Sequence, residues 1–166
     1  MIASNLRANW AGGRIASVIN GIVAWLDAVP YWFLALPARV AIATVFWNSG
    51  TTKLADWTAA LALFSDEYQL PLLPPVLAAY LAAAVELTTP PLLILGLLTR
   101  PVAALLLGMT AVIEVFVYPL AWPVHIQWAA MLLMLLCRGA GTMSLDHLLN
   151  RWWRLDGGNG MGGRTR

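Results

Sequence analysis

Four stretches of the chain are almost uninterruptedly apolar, at residues 31–49, 75–98, 101–118 and 123–137. Each approaches the roughly 20 residues that a helix needs to cross a bilayer, and the last, the shortest, has Trp122 and Trp128 near one interface. Pro75, Pro101 and Pro123 fall in first turns, where a missing N–H costs least. Ahead of the first stretch, Ile15, Val18, Ile19, Ile22, Val23 and Leu26 recur at helical spacing, opposite Arg14, Ser17, Asn20 and Asp27. That pattern predicts an amphipathic helix lying on a membrane surface. After the last stretch, Ser144 can cap a helix with Asp146 in its first turn, an apolar face of Leu145, Leu148, Leu149 and Trp152, and Gly157 to stop it.

These patterns predict an all-α fold, an integral membrane four-helix bundle with amphipathic interfacial helices at both termini. Residues 1–30 form an N-terminal segment, 31–138 the bundle, and 139–166 an amphipathic helix with a Gly-rich tail that has little to bury. Between the first two spans, residues 54–64 suggest a short re-entrant or surface helix and 68–75 an extended return.

Composition agrees with the pattern: 60% of the 166 residues are hydrophobic and 11% charged, and the mean hydropathy is +0.72. A net charge of +2 is too small to imply nucleic acid. The basic residues instead report topology. Arg7, Arg14, Arg100, Arg138, Arg151, Arg154, Arg164 and Arg166 would share one face, whereas the other carries Lys53 beside Asp56, Asp66 and Glu67. The positive-inside rule then places both termini in the cytoplasm. The first apolar run starts late and precedes no small-residue cleavage site, so the first span is expected to be an uncleaved anchor.

Against this background Arg39, Glu86 and Glu114 are costly, since a charge inside hydrocarbon costs on the order of 2.5 to 3.5 kcal/mol or more unless paired or wetted. At about 1.5 Å per residue, Arg39 lies roughly 12 Å, Glu86 roughly 18 Å and Glu114 roughly 20 Å from the inner ends of their spans. Arg39 and Glu86 are therefore expected to pair near the midplane, beside a helix broken at Pro90 and Pro91, with Thr88 and Thr89 at the gap. Glu114 is expected further out, with Lys53 or His125. Two candidate sites follow: an intramembrane polar site of Arg39, Glu86, Thr88 and Thr89, and an outer-leaflet site of Lys53, Glu114 and His125. Each can be read as a structural ion pair or as a polar cavity for a quinone head group, a proton or a small solute.

Redox chemistry carried by the chain alone finds no motif. Cys137 is the single cysteine, so no internal disulfide, CxxC pair or iron–sulfur site can form. His125 and His147 fall on opposite sides, and His125 with Glu114 or Glu67 lacks ligand spacing, so no metal is assigned. No phosphate loop, dinucleotide fingerprint or nucleophile elbow is present. The nine tryptophans read as interfacial anchors. Ala79 with Ala83, and Ala104 with Gly108, permit close helix packing within the bundle or between copies.

Arg39, the Gly50–Lys53 turn in GTTKL, a second-span glutamate followed by LLILGLLTR, and a closing GAGTMSLDHLL together resemble the DoxX family of small four-helix bacterial membrane proteins, over residues 37–149. The resemblance implies a bacterial inner membrane. Some relatives are membrane subunits of thiosulfate:quinone oxidoreductase, some are linked to oxidative-stress complexes, and short ones occur beside metal-stress proteins. The chain is thus expected to be an accessory membrane subunit of a redox or stress-response complex, at most part of a membrane oxidoreductase. It would have no built-in cofactor, a quinone as candidate ligand, and the bilayer, a soluble or peripheral redox protein, or a second copy as partner. The alternatives are a small-solute or ion transporter or channel, and a structural scaffold in a metal-stress system.

Overall fold

The computed structural model describes residues 14–71 and 73–158. Arg7, Trp10, Arg164, Arg166 and the expected tail from Asn159 onward lie outside these residues. The described chain is helical, in the order α1 (Arg14–Asp27), α2 (Tyr31–Ala55), the short α3 (Trp57–Ala62), α4 (Pro75–Leu95), α5 (Thr99–Val112), α6 (Trp122–Arg138) and α7 (Leu145–Gly158). A π-helical turn, Leu63–Tyr68, continues α3, and a second, Ile113–Val117, continues α5. Among the described residues, three segments are long and apolar enough to span a membrane: α4, α5 with its π turn, and α6 with the 3-10 turn before it. α2 joins them as a fourth together with α1, from which it is bent by 63°.

α2, α4, α5 and α6 run up and down, so the bundle has a proximal end (Tyr31, Leu95, Thr99, Arg138) and a distal end (Ala55, Pro75, Val117, Trp122). The apolar face of α1 does not pack on the bundle: Val18, Ile19, Ile22 and Leu26 are all more than half exposed. In the proximal half, Ala35, Ile42, Phe46, Leu93, Val102, Leu106, Leu132 and Leu135 form a buried plug drawn from all four bundle helices.

Two expectations are corrected. α2 does not end near Ser49: Gly50 to Lys53 continue the helix to Ala55 instead of turning. Gly50 is buried because a Cβ there would stand 3.0 Å from the Glu86 Cβ and from the Leu87 side chain, so its missing side chain lets α4 lie close. Nor do Pro90 and Pro91 break α4, which is helical from Pro75 to Leu95. Thr88 and Thr89 turn their hydroxyls back onto the Ala84 and Val85 carbonyls, at 2.7 and 2.8 Å, and so do not line a gap.

The proximal end is closed by the two sequence motifs LGLLTR and GAGTMSLDHLL, which meet in space. Gly96 ends α4 in the left-handed region (φ 66°), and the Leu97 N–H bonds back to the Leu92 carbonyl at 2.9 Å, the usual helix-ending arrangement. A Cβ on Gly96 would stand 2.5 Å from the Ser144 Cβ. Ser144 caps α7 as expected, accepting from the His147 N–H at 3.2 Å. Asp146 does more than favour its own first turn. Its carboxylate accepts the Leu98 and Thr99 N–H groups at 2.8 and 2.9 Å and so caps α5 across the chain.

Candidate functional site

Arg39 and Glu86 do not meet. Arg39 is 2% exposed, and its guanidinium donates to four backbone carbonyls: Leu93 at 2.7 Å, Ile94, Met143 at 2.8 Å and Ala140 at 3.2 Å. Side chains on a helix lean toward its N-terminus. Arg39 on α2 therefore reaches proximally, while Glu86 on the antiparallel α4 reaches distally. The cation sits at the C-terminus of α4, where orphan carbonyls and the helix dipole both favour it.

Glu86 pairs instead with Lys53, which leans back from the last turns of α2. Lys53 Nζ is 2.8 Å from each Glu86 carboxylate oxygen and 2.9 Å from Ser49 Oγ, and Ser49 donates to Glu86 Oε1 at 3.1 Å. The Glu86 side chain is 3% exposed and that of Lys53 15%. Of the two partners expected for Glu114, Lys53 goes to Glu86, and Glu114 pairs with His125 Nδ1 at 2.5 Å. Among the described residues no three potential metal ligands converge.

Lys53, Glu86 and His125 all border one cavity of about 510 Å³ in the distal half of the bundle. Its remaining walls are mostly apolar, including Phe46, Phe64, Leu105, Met109, Val112 and Ile113. Gly108 leaves open space on the α5 side. Trp128 does not serve only as an interfacial anchor; it borders the cavity with its ring against Phe46 and His125, centroids 6.0 and 4.9 Å away. Both π turns reach this cavity, through Phe64 and Tyr68 on one side and Ile113 and Val117 on the other. Their loosened winding is a frequent companion of functional sites. Where they approach each other, the Tyr68 and Tyr118 hydroxyls are 3.2 Å apart and Tyr118 donates to Glu67 at 3.2 Å. Burial, and then the bond to Tyr118, hold the Tyr68 phenol well above its usual titration range, so it stays protonated.

The DoxX family profile matches residues 34–119, just over half of the chain. The chain belongs to the DoxX family. The matched segment holds Arg39, Lys53, Glu86 and Glu114 of this DoxX protein and the LGLLTR motif, while His125 and GAGTMSLDHLL lie beyond it. Neither the curated proteins nor the solved structures offered a match.

Sequence reasoning missed Ser49, Tyr68, Tyr118 and Trp128 as parts of the distal site. One signal was available for Ser49: it lies four residues before Lys53, the spacing that puts two side chains on one helix face.

Proposed function

We propose that this DoxX protein is an accessory membrane subunit of a redox or stress-response complex and binds a quinone in its distal cavity. What supports the reading is a mainly apolar cavity of about 510 Å³ bordered by a buried ammonium–carboxylate pair and by an imidazole. Small lipophilic ligands with a polar head fit sites of this kind, where apolar walls hold the body and a few placed polar groups fix orientation. The three Lys53 N–H donors stay with Glu86 and Ser49, whereas His125, held at Nδ1 by Glu114, can as an imidazolium present its Nε2–H to a quinone carbonyl, and the aromatic rings of Phe46, Phe64 and Trp128 suit a flat ring. When bound, a quinone supplies two-electron, two-proton chemistry. The chain's part is to hold the head group, exclude bulk water with the proximal plug, and keep exchangeable protons at Lys53, Glu86 and His125.

A soluble or peripheral redox partner would supply the electrons. The arginine-rich proximal end is assigned to the cytoplasm of a bacterium, in its inner membrane, following the positive-inside rule. The transport reading requires a solute to pass the buried plug between the cavity and the proximal end, and the quinone reading does not.

The test is titration of the nanodisc-embedded protein with a short-chain quinone, read by Trp fluorescence with Trp128→Phe as the control for the reporter. Saturable quenching that Trp128→Phe removes, and that Glu86→Gln weakens, is expected. Quenching that is linear in quinone, or unchanged in Trp128→Phe, would defeat the proposal.

A further inference from the structure

The proximal end carries a second recess, of about 670 Å³, where α2 and α5 begin and α6 ends. It lies beyond the plug from the distal cavity. Its walls include Arg100, Arg138 and a single carboxylate, Asp146. Both Asp146 oxygens are already occupied by the Leu98 and Thr99 N–H groups. Neither arginine has a carboxylate partner among the described residues. Arg138 lies over the Tyr31 ring at 4.7 Å, and Arg100 gives one donor to the Cys137 carbonyl at 3.2 Å. A guanidinium has five N–H donors, so both keep most of theirs.

Both cations line this one recess, and Arg100 Nε lies 3.6 Å from where a Cβ would stand at Gly139, the residue after Arg138. Thr99, whose buried hydroxyl has no partner, stands in the same wall. Planar forked donors match phosphate oxygens in pairs. Trp32 also borders the recess, an indole suited to headgroup depth, and Leu98 at its edge is 56% exposed.

We propose that this recess binds a phosphate ester, namely the headgroup phosphate of an anionic phospholipid whose chains lie against the apolar surface outside it. Basic pockets between membrane helices are suited to such headgroups. The site is separate from the distal cavity and does not depend on what that cavity binds.

The full-length protein in phosphatidylcholine nanodiscs, with and without phosphatidylglycerol, tests the site through retained lipid in native mass spectrometry and through thermal unfolding. Phosphatidylglycerol should be retained and should raise the unfolding temperature. Retention should fall about fivefold for each arginine removed in R100Q/R138Q, with unfolding in pure phosphatidylcholine as the folding check. R151Q, on α7 and outside the recess, should keep both effects. If R100Q/R138Q does not fold, R100Q alone, which leaves the Arg138–Tyr31 stack intact, makes the comparison. Equal loss in R151Q, or unchanged retention in R100Q, overturns the site. Stabilisation by inorganic phosphate without any by phosphatidylglycerol overturns the lipid assignment in favour of a soluble phosphate compound.

Discussion

Lys53 Nζ lies 2.8 Å from both carboxylate oxygens of Glu86, thirty-three residues away, at a place where Gly50 leaves no side chain between α2 and α4. Close approach of the two backbones and a buried ion pair are thus one arrangement. Breaking such a pair from one side leaves a bare charge in a low dielectric and costs about 3–5 kcal/mol, whereas replacing both partners by apolar residues is often neutral. Lys53→Met and Glu86→Leu should each lower the unfolding temperature in detergent, and the double variant should recover most of the loss. Additive losses in the double variant would show that the pair is not coupled.

Gly50→Leu should destabilise the bundle by about 1–3 kcal/mol, as overpacking typically does, because its first added atom would already crowd Glu86 and Leu87. The same substitution at Gly108, where a Cβ meets nothing within 4 Å, should leave the unfolding temperature unchanged or raise it. It should also fill the distal cavity, so the contrast is between a structural glycine and a cavity glycine. Equal stability of the two variants would remove it.

Asp146→Ala should cost about 1 kcal/mol, the usual value of a lost helix cap. Leu98, whose N–H it holds, has φ 52°, a left-handed conformation that a leucine enters only at a cost. Adding Leu98→Gly should therefore restore part of the lost stability. Thermal unfolding of the single and double variants measures this, and no recovery in the double would argue against strain at Leu98.

Arg39→Leu should abolish accumulation of folded protein, since it strands the Ile94, Ala140 and Met143 carbonyls and leaves Leu93 with the Gly96 N–H alone, and each buried unsatisfied group costs about 1–3 kcal/mol. Arg39→Lys should rescue it only in part, because a compact ammonium cannot span carbonyls contributed by two elements. The fraction of protein that stays monodisperse after membrane extraction reports the order wild type, Lys, Leu. Equal yields of all three would show that the clamp is dispensable.

The helices were legible in the sequence because apolar runs and first-turn prolines marked them. The partners of the charges were not. Depth along each span placed Arg39 and Glu86 at a similar level, but depth is measured at Cα and the charge sits several ångströms away along a direction set by the helix. In antiparallel neighbours those directions oppose, which separates Arg39 from Glu86 and returns Lys53 toward the bundle. The apolar run that stops at Ser49 conceals the same point, since Gly50 reads as a turn residue whereas its use is close packing. The cavity was hidden for another reason: it is defined by what Gly108 and the two π turns leave unfilled, and apolar periodicity carries no record of empty space.

The Arg39 clamp has a consequence for biogenesis. Two of its acceptors, Ala140 and Met143, come from more than a hundred residues further along the chain. During synthesis α2 carries its guanidinium without them until the last loop has emerged. The nascent chain must therefore keep that helix in a wet or chaperoned setting, and any truncation or fusion that removes the segment after Gly139 removes a condition for completing insertion.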